Sequence, residues 1–142
     1  MTLKELCKKL GLDSGKIETE FGLSEDDSTI GGIAHKIAEK TGRYGEFIEG
    51  FLNPDHASYA ALSEVHVLDM EKVNEVFIAL NLINRQYLLA DLKGTEESFQ
   101  QFIKLSLEEW EGIKPLLTAI IEQVKNSWKE SLRGKEELGY LG

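Results

Sequence analysis

The sequence predicts an all-α protein, a bundle of six to seven helices with the last three long and antiparallel. Three observations carry that prediction. Apolar residues recur at i, i+3, i+4 and i+7 in segment after segment. Glycines stand where most of these patterns stop. Period-2 alternation with hairpin turns is missing; EVHVL at 64–68 is the one alternating stretch, and five residues do not make a sheet.

The elements follow in order. Thr2 and Glu5 form a capping-box pattern, Leu3, Leu6, Cys7 and Leu10 lie at helical spacing, and Gly11 sits at a left-handed C-cap. Residues 12–29 are ambiguous: SGKIETEFG reads as a single turn or a loop, and the acidic SEDDST suits the start of the next helix. Ile30, Ile33, Ala34, Ile37 and Ala38 stripe that helix, which Thr41-Gly42 is expected to close. Tyr44, Phe47, Ile48 and Phe51 mark a shorter element, loosened by Gly45 and Gly50. Asn53-Pro54-Asp55 then reads as a helix start, with an Asx N-cap, proline at the first helical position and an acid in the first turn.

A central helix runs from an N-cap at Asp69 to Lys93-Gly94. It is apolar on two sides: Val76, Leu80, Ile83, Tyr87 and Ala90 form one stripe, Ile78, Leu82 and Leu89 another. Such a helix is central or has one side covered by a partner chain. Phe99, Phe102, Ile103 and Trp110 pattern the next helix, which Gly112 and Pro115 are expected to break or kink. Leu117, Ile121, Val124, Trp128 and Leu132 stripe a last helix ending at Gly134. The short links between these last three helices are the reason for expecting them antiparallel. At 142 residues the chain suits a single domain, residues 1–134, with 135–142 as a tail.

Composition bounds the function. Acids outnumber bases 25 to 16, the net charge is −9, and no basic cluster exceeds Lys8-Lys9. Duplex binding draws its affinity from phosphate neutralisation, so nucleic acid is a disfavoured partner. No apolar run is long enough for a membrane span, and MTLKELCKKLG lacks the apolar core of a secretory signal. A lone Cys7 makes no disulfide framework. The expectation is a cytoplasmic protein without membrane attachment.

The densest cluster of candidate site residues is NPDHASYAALSEVH at 53–66. His56 and His66 stand ten positions apart, about 15 Å along a straight helix, so they cannot chelate one ion from it. Ala57, Ala61, Val65 and Leu68 would form one stripe and His56, Tyr59, Ser63 and His66 the opposite one. The face of His56, Tyr59 and His66 is the candidate ligand or partner face. Glu64 falls on the edge of the alanine stripe, where a carboxylate needs a cation, and Arg85 is the expected partner in a structural ion pair. His35 and Glu39 share a turn opposite the isoleucine stripe and read as a solvated pair rather than metal ligands. Asn81 and Asn84 either fix register at an interface or line a narrow polar face.

Catalytic chemistry finds little. Neither HExxH nor ExxH occurs, GxSxG is absent, and TIGG at 29–32 lacks the lysine of a phosphate-binding loop. Glu46-x-x-Glu49 and Glu71-x-x-Asn74 resemble the ExxE…ExxD arrangement of all-α nucleotide pyrophosphohydrolases, with Asn74 where that family has an aspartate. The resemblance implies Mg²⁺ held by these four residues against a nucleotide's phosphates. Without it, no catalytic residue, metal or cofactor is expected. The leading expectation is a non-catalytic interaction or regulatory module, homodimeric through its central or C-terminal helices; the alternative is the Mg²⁺-dependent hydrolase.

Overall fold

The computed structural model describes residues 2–24, 29–52 and 68–137, with side chains as far as residue 127. These residues form five helices and no strand: α1 (Leu3–Leu10), α2 (Ser14–Phe21), α3 (Ile30–Leu52), α4 (Met70–Lys93) and α5 (Glu96–Glu137). None of the described helices is long and apolar enough to cross a membrane.

Local chemistry sets the helix ends. The Thr2 hydroxyl accepts from the Glu5 amide, and the Glu5 carboxylate accepts from the Thr2 amide at 3.2 Å. Gly11 at φ 69° closes α1. The ambiguous segment 14–21 is a helix: Asp13 accepts from the Gly15 amide at 3.0 Å, Gly22 closes the far end, and Ile17 and Phe21 are buried. Its apolar period is weak because only two turns exist and two residues face the core.

Three expected interruptions, at Thr41-Gly42, Gly112-Pro115 and Gly134, are crossed without a break. Helix α3 runs through Thr41-Gly42 to Leu52 as 23 residues. Thr41 is buried inside it, its hydroxyl donating to the Ile37 carbonyl at 3.0 Å. Each glycine costs a helix about 1 kcal/mol against alanine, but Ile48 and Phe51 beyond the expected end are buried and hold the continuation in place. Gly45 sits against Leu80, where a Cβ would come within 4.0 Å of the leucine's own.

Helix α5 likewise runs 42 residues through Gly112, Pro115 and Gly134 to Glu137. Pro115 is exposed, while Ile113, Leu117 and Ile120 on either side of it are buried. The proline's roughly 3 kcal/mol penalty falls on the solvent side, and the buried side chains flanking it offset the loss.

Helices α3, α4 and α5 pack against one another in pairs, and α1 and α2 cover one end of this trio beside α3. Ile33, Ile37 and Ile48 of α3, Val73, Val76 and Ile83 of α4, and Ile103 of α5 are at most 1% exposed and form the centre. The α4–α5 connection is two residues, Gly94 in the left-handed region and Thr95 as N-cap. Ser98 ties it down, its hydroxyl donating to Ala90 and Thr95 carbonyls.

Candidate functional site

Two features of the described residues stand out: the outer face of α4, and a cavity between α2, α3 and α5.

Helix α4 buries its first stripe and exposes its second. Val73, Val76, Leu80, Ile83 and Ala90 are buried, whereas Ile78 is 66% exposed, Leu82 41%, Leu88 58%, Leu89 52% and Leu92 84%. Ile78, Leu82, Arg85, Leu89 and Leu92 step by 4, 3, 4 and 3 residues, the spacing of a two-helix seam. Arg85 is exposed in the middle of this row. Its aliphatic stem can extend the apolar surface while the guanidinium stays in water.

The cavity between α2, α3 and α5 has a volume of about 700 Å³. Trp110, 3% exposed, sits among its lining with Phe21 and Tyr44 packed on it at centroid distances of 5.7 and 5.6 Å. The indole Nε1 donates to Glu20 Oε1 at 2.8 Å, and the Lys114 ammonium donates to the same oxygen. Burial pushes the Glu20 carboxyl up, but those two hydrogen bonds, with the charges of Lys114 and Lys16, outweigh it and hold it below the usual glutamate range. Lys40 lies over the rings of Phe21 and Trp110, 5.2 and 5.7 Å from their centroids. Burial pushes its ammonium below the usual lysine value; Glu20 opposes this, while Lys114 and Arg43 add to it. None of these residues stood out in the sequence as a site. One signal was available: Ile33, Ile37, Lys40 and Tyr44 step by 4, 3 and 4, which puts a lysine on an apolar stripe.

The residues singled out from sequence fare differently. His56, Tyr59, Glu64 and His66 lie outside the described residues, and so does the expected Glu64–Arg85 pair. His35 is exposed and meets Tyr87 of α4, Nδ1 to hydroxyl at 3.1 Å, so its neighbour comes from another helix rather than from Glu39 one turn on. Burial and then the Asp91 charge raise the Tyr87 phenol above its ordinary value. Cys7 is buried as the stripe predicted, its thiol pushed up by burial and by Glu18 and Asp13.

Of the four residues of the hydrolase resemblance, two line one cleft. Glu46 and Glu49 line a cleft of about 250 Å³ between α3 and α4, facing Asn81 and Asn84. Glu71 and Asn74 are exposed on α4 and are not part of that lining. Among the described residues no three His, Cys, Asp or Glu side chains are grouped so as to hold a metal ion. Comparison with known proteins brings no relative: no family model, curated protein or solved structure matches the chain.

Proposed function

We propose that this protein is a non-catalytic interaction module that acts as a homodimer, two copies joining through the outer face of α4. The observation that carries this reading is the row of large apolar side chains exposed on one helix face. Scattered exposed leucines need no explanation, but Ile78, Leu82, Leu89 and Leu92 at seam spacing along a 24-residue helix, with Leu88 beside them, make a patch of the kind that marks an interface. A second copy is the occupant the pattern favours, because a single self-complementary face closes a two-fold dimer without a further surface.

An antiparallel pairing with its axis between Ile83 and Asn84 sets Ile78 against Leu89 of the second copy. It sets Leu82 against the Arg85 stem, so the two guanidinium groups do not face each other. Asn81 flanks the seam in this arrangement and can accept from the guanidinium of the second copy. Light scattering after size exclusion tests the reading. At tens of micromolar the expected mass is twice the 16.0 kDa of the chain, and a monomer at that concentration overturns it.

A further inference from the structure

We propose that the space beside the Trp110 cavity, lined by Lys40, Arg43, Tyr44, Phe47 and Ile121, binds a small amphipathic anion, its charged head at Lys40 and Arg43 and its apolar body along Tyr44, Phe47 and Ile121. The inference does not depend on the dimer. It rests first on unbalanced charge. In a chain with 25 acids and 16 bases, this region gathers Lys16, Lys40, Arg43 and Lys114 against Asp13 and Glu20. Most of these groups are already committed. Asp13 caps α2, Lys114 is held by Glu20, and Lys16 pairs with Glu111 at 2.7 Å. Lys40 and Arg43 are left facing the opening with no carboxylate partner among the described residues. Lys40 has ring faces beneath it; burial disfavours its charge, Glu20 favours it without a direct contact, and Lys114 and Arg43 again oppose it. An anion placed there relieves that repulsion in a site partly shielded from water.

The second observation is the shape of the space. A further cavity of about 360 Å³ adjoins the first and shares Lys40, Tyr44 and Ile121 with it. Its lining adds Arg43 and Phe47, and Phe47 and Ile121 keep 39% and 37% of their surface exposed. Bare phosphate would satisfy the cations and leave this apolar lobe wet. A neutral chain would fill the lobe and leave the cations unmatched. A carboxylate or phosphate head on a medium-length apolar body satisfies both, in a volume typical of small-ligand sites.

The test uses isothermal titration with decanoate, decyl phosphate and decanol below their aggregation limits. Trp110 fluorescence provides a second readout in a Trp128→Phe background, where Trp110 is the one tryptophan left. Saturable binding is expected for decanoate, decyl phosphate or both, and the pair shows which head is preferred; decanol should bind at least tenfold more weakly. Lys40→Gln should weaken anion binding by about tenfold, the scale of one charge-assisted contact of roughly 1.4 kcal/mol. Arg43→Gln, at an exposed position that the fold tolerates, should weaken it as well. Lys93→Gln, at the far end of α4, should leave it unchanged. No saturable binding by either anion, equal binding of decanol, or unchanged affinity in both Lys40→Gln and Arg43→Gln overturns the proposal.

Discussion

Leu89→Ala is the substitution that most directly probes the outer face of α4. Leu89 is 52% exposed in the single chain. The change removes three carbons, worth about 2.4 kcal/mol at roughly 0.8 kcal/mol per buried methylene-sized group. Only the half of that surface still open to water can be gained on association, so each copy loses about 1.2 kcal/mol at the interface. A symmetric dimer contains the substitution twice, which makes about 2.4 kcal/mol, or a dissociation constant weakened roughly 50-fold. The chain itself should stay folded, since alanine has the higher helix propensity and Val76, Leu80 and Ile83 still anchor α4. Sedimentation equilibrium over a hundredfold range of concentration reads the constant, and circular dichroism checks the helix content. A dissociation constant within threefold of the parent, with helicity intact, refutes the α4 interface even if the protein is dimeric. Leu92, 84% exposed, should give a larger effect if the seam extends to the end of the helix.

Three further outcomes follow from the described geometry. Glu20 titrates below an ordinary glutamate in the fold, so its ionised form contributes stability above about pH 4.3, and this is lost as pH falls through the lower folded value. Thermal unfolding of Glu20→Gln should therefore fall less steeply than the parent between pH 5 and pH 3, after a loss on the order of 1 kcal/mol at neutral pH; parallel pH profiles would contradict the role given to Lys114 and Trp110. Cys7, 2% exposed, should react with an aromatic disulfide reagent on the order of a hundredfold more slowly in the native protein than in guanidinium, and similar rates would place the thiol outside the core. Gly94→Ala should lower stability by about 1 kcal/mol because φ is +64° there and no side chain crowds the site; an equally stable variant would mean the left-handed cap is not needed.

What the sequence made legible is what local chemistry decides. Thr2 with Glu5, Gly11, Asp69 and Gly94 act through groups within four residues, and each end lies where its cap predicts. The buried stripes of α1, α3 and α4 were legible for the same reason, since a 3.6-residue period is written along the chain. The failures share an opposite cause. Thr41-Gly42 and Gly112-Pro115 are local stop signals, and each is overridden by apolar residues on its far side that find a core supplied by other helices. A reading that scores breakers locally cannot weigh burial that depends on packing. His35 shows this on a small scale: its turn offers Glu39, but the partner it meets, Tyr87, lies 52 positions away.

The Trp110 cavity lay beyond local reading because Glu20, Lys40, Tyr44 and Lys114 come from three helices, with Glu20 and Trp110 ninety residues apart. Taken singly, each is ordinary. Glu20 follows Ile17 by one turn, Lys114 follows Trp110 by one turn, and Lys40 sits between Ile37 and Tyr44 on a stripe that is otherwise apolar. A cation on such a stripe has three outcomes: it reaches past the core to water, finds an acid, or lies on aromatic faces. Lys40 takes the third, and the acid within range, Glu20, is already engaged by Lys114 and the indole. The same arrangement separates a packing role for Lys40 from a binding one. Lys40→Met keeps the aliphatic packing over Phe21 and Trp110 and removes the charge. If Lys40 serves packing alone, that variant should be at least as stable as the parent and equally indifferent to decanoate. If it holds an anion, the variant should be as stable without ligand but gain less from decanoate: by RT ln(1 + [L]/Kd), about 1.4 kcal/mol for the parent at ten times its dissociation constant against about 0.4 kcal/mol for a variant binding tenfold more weakly.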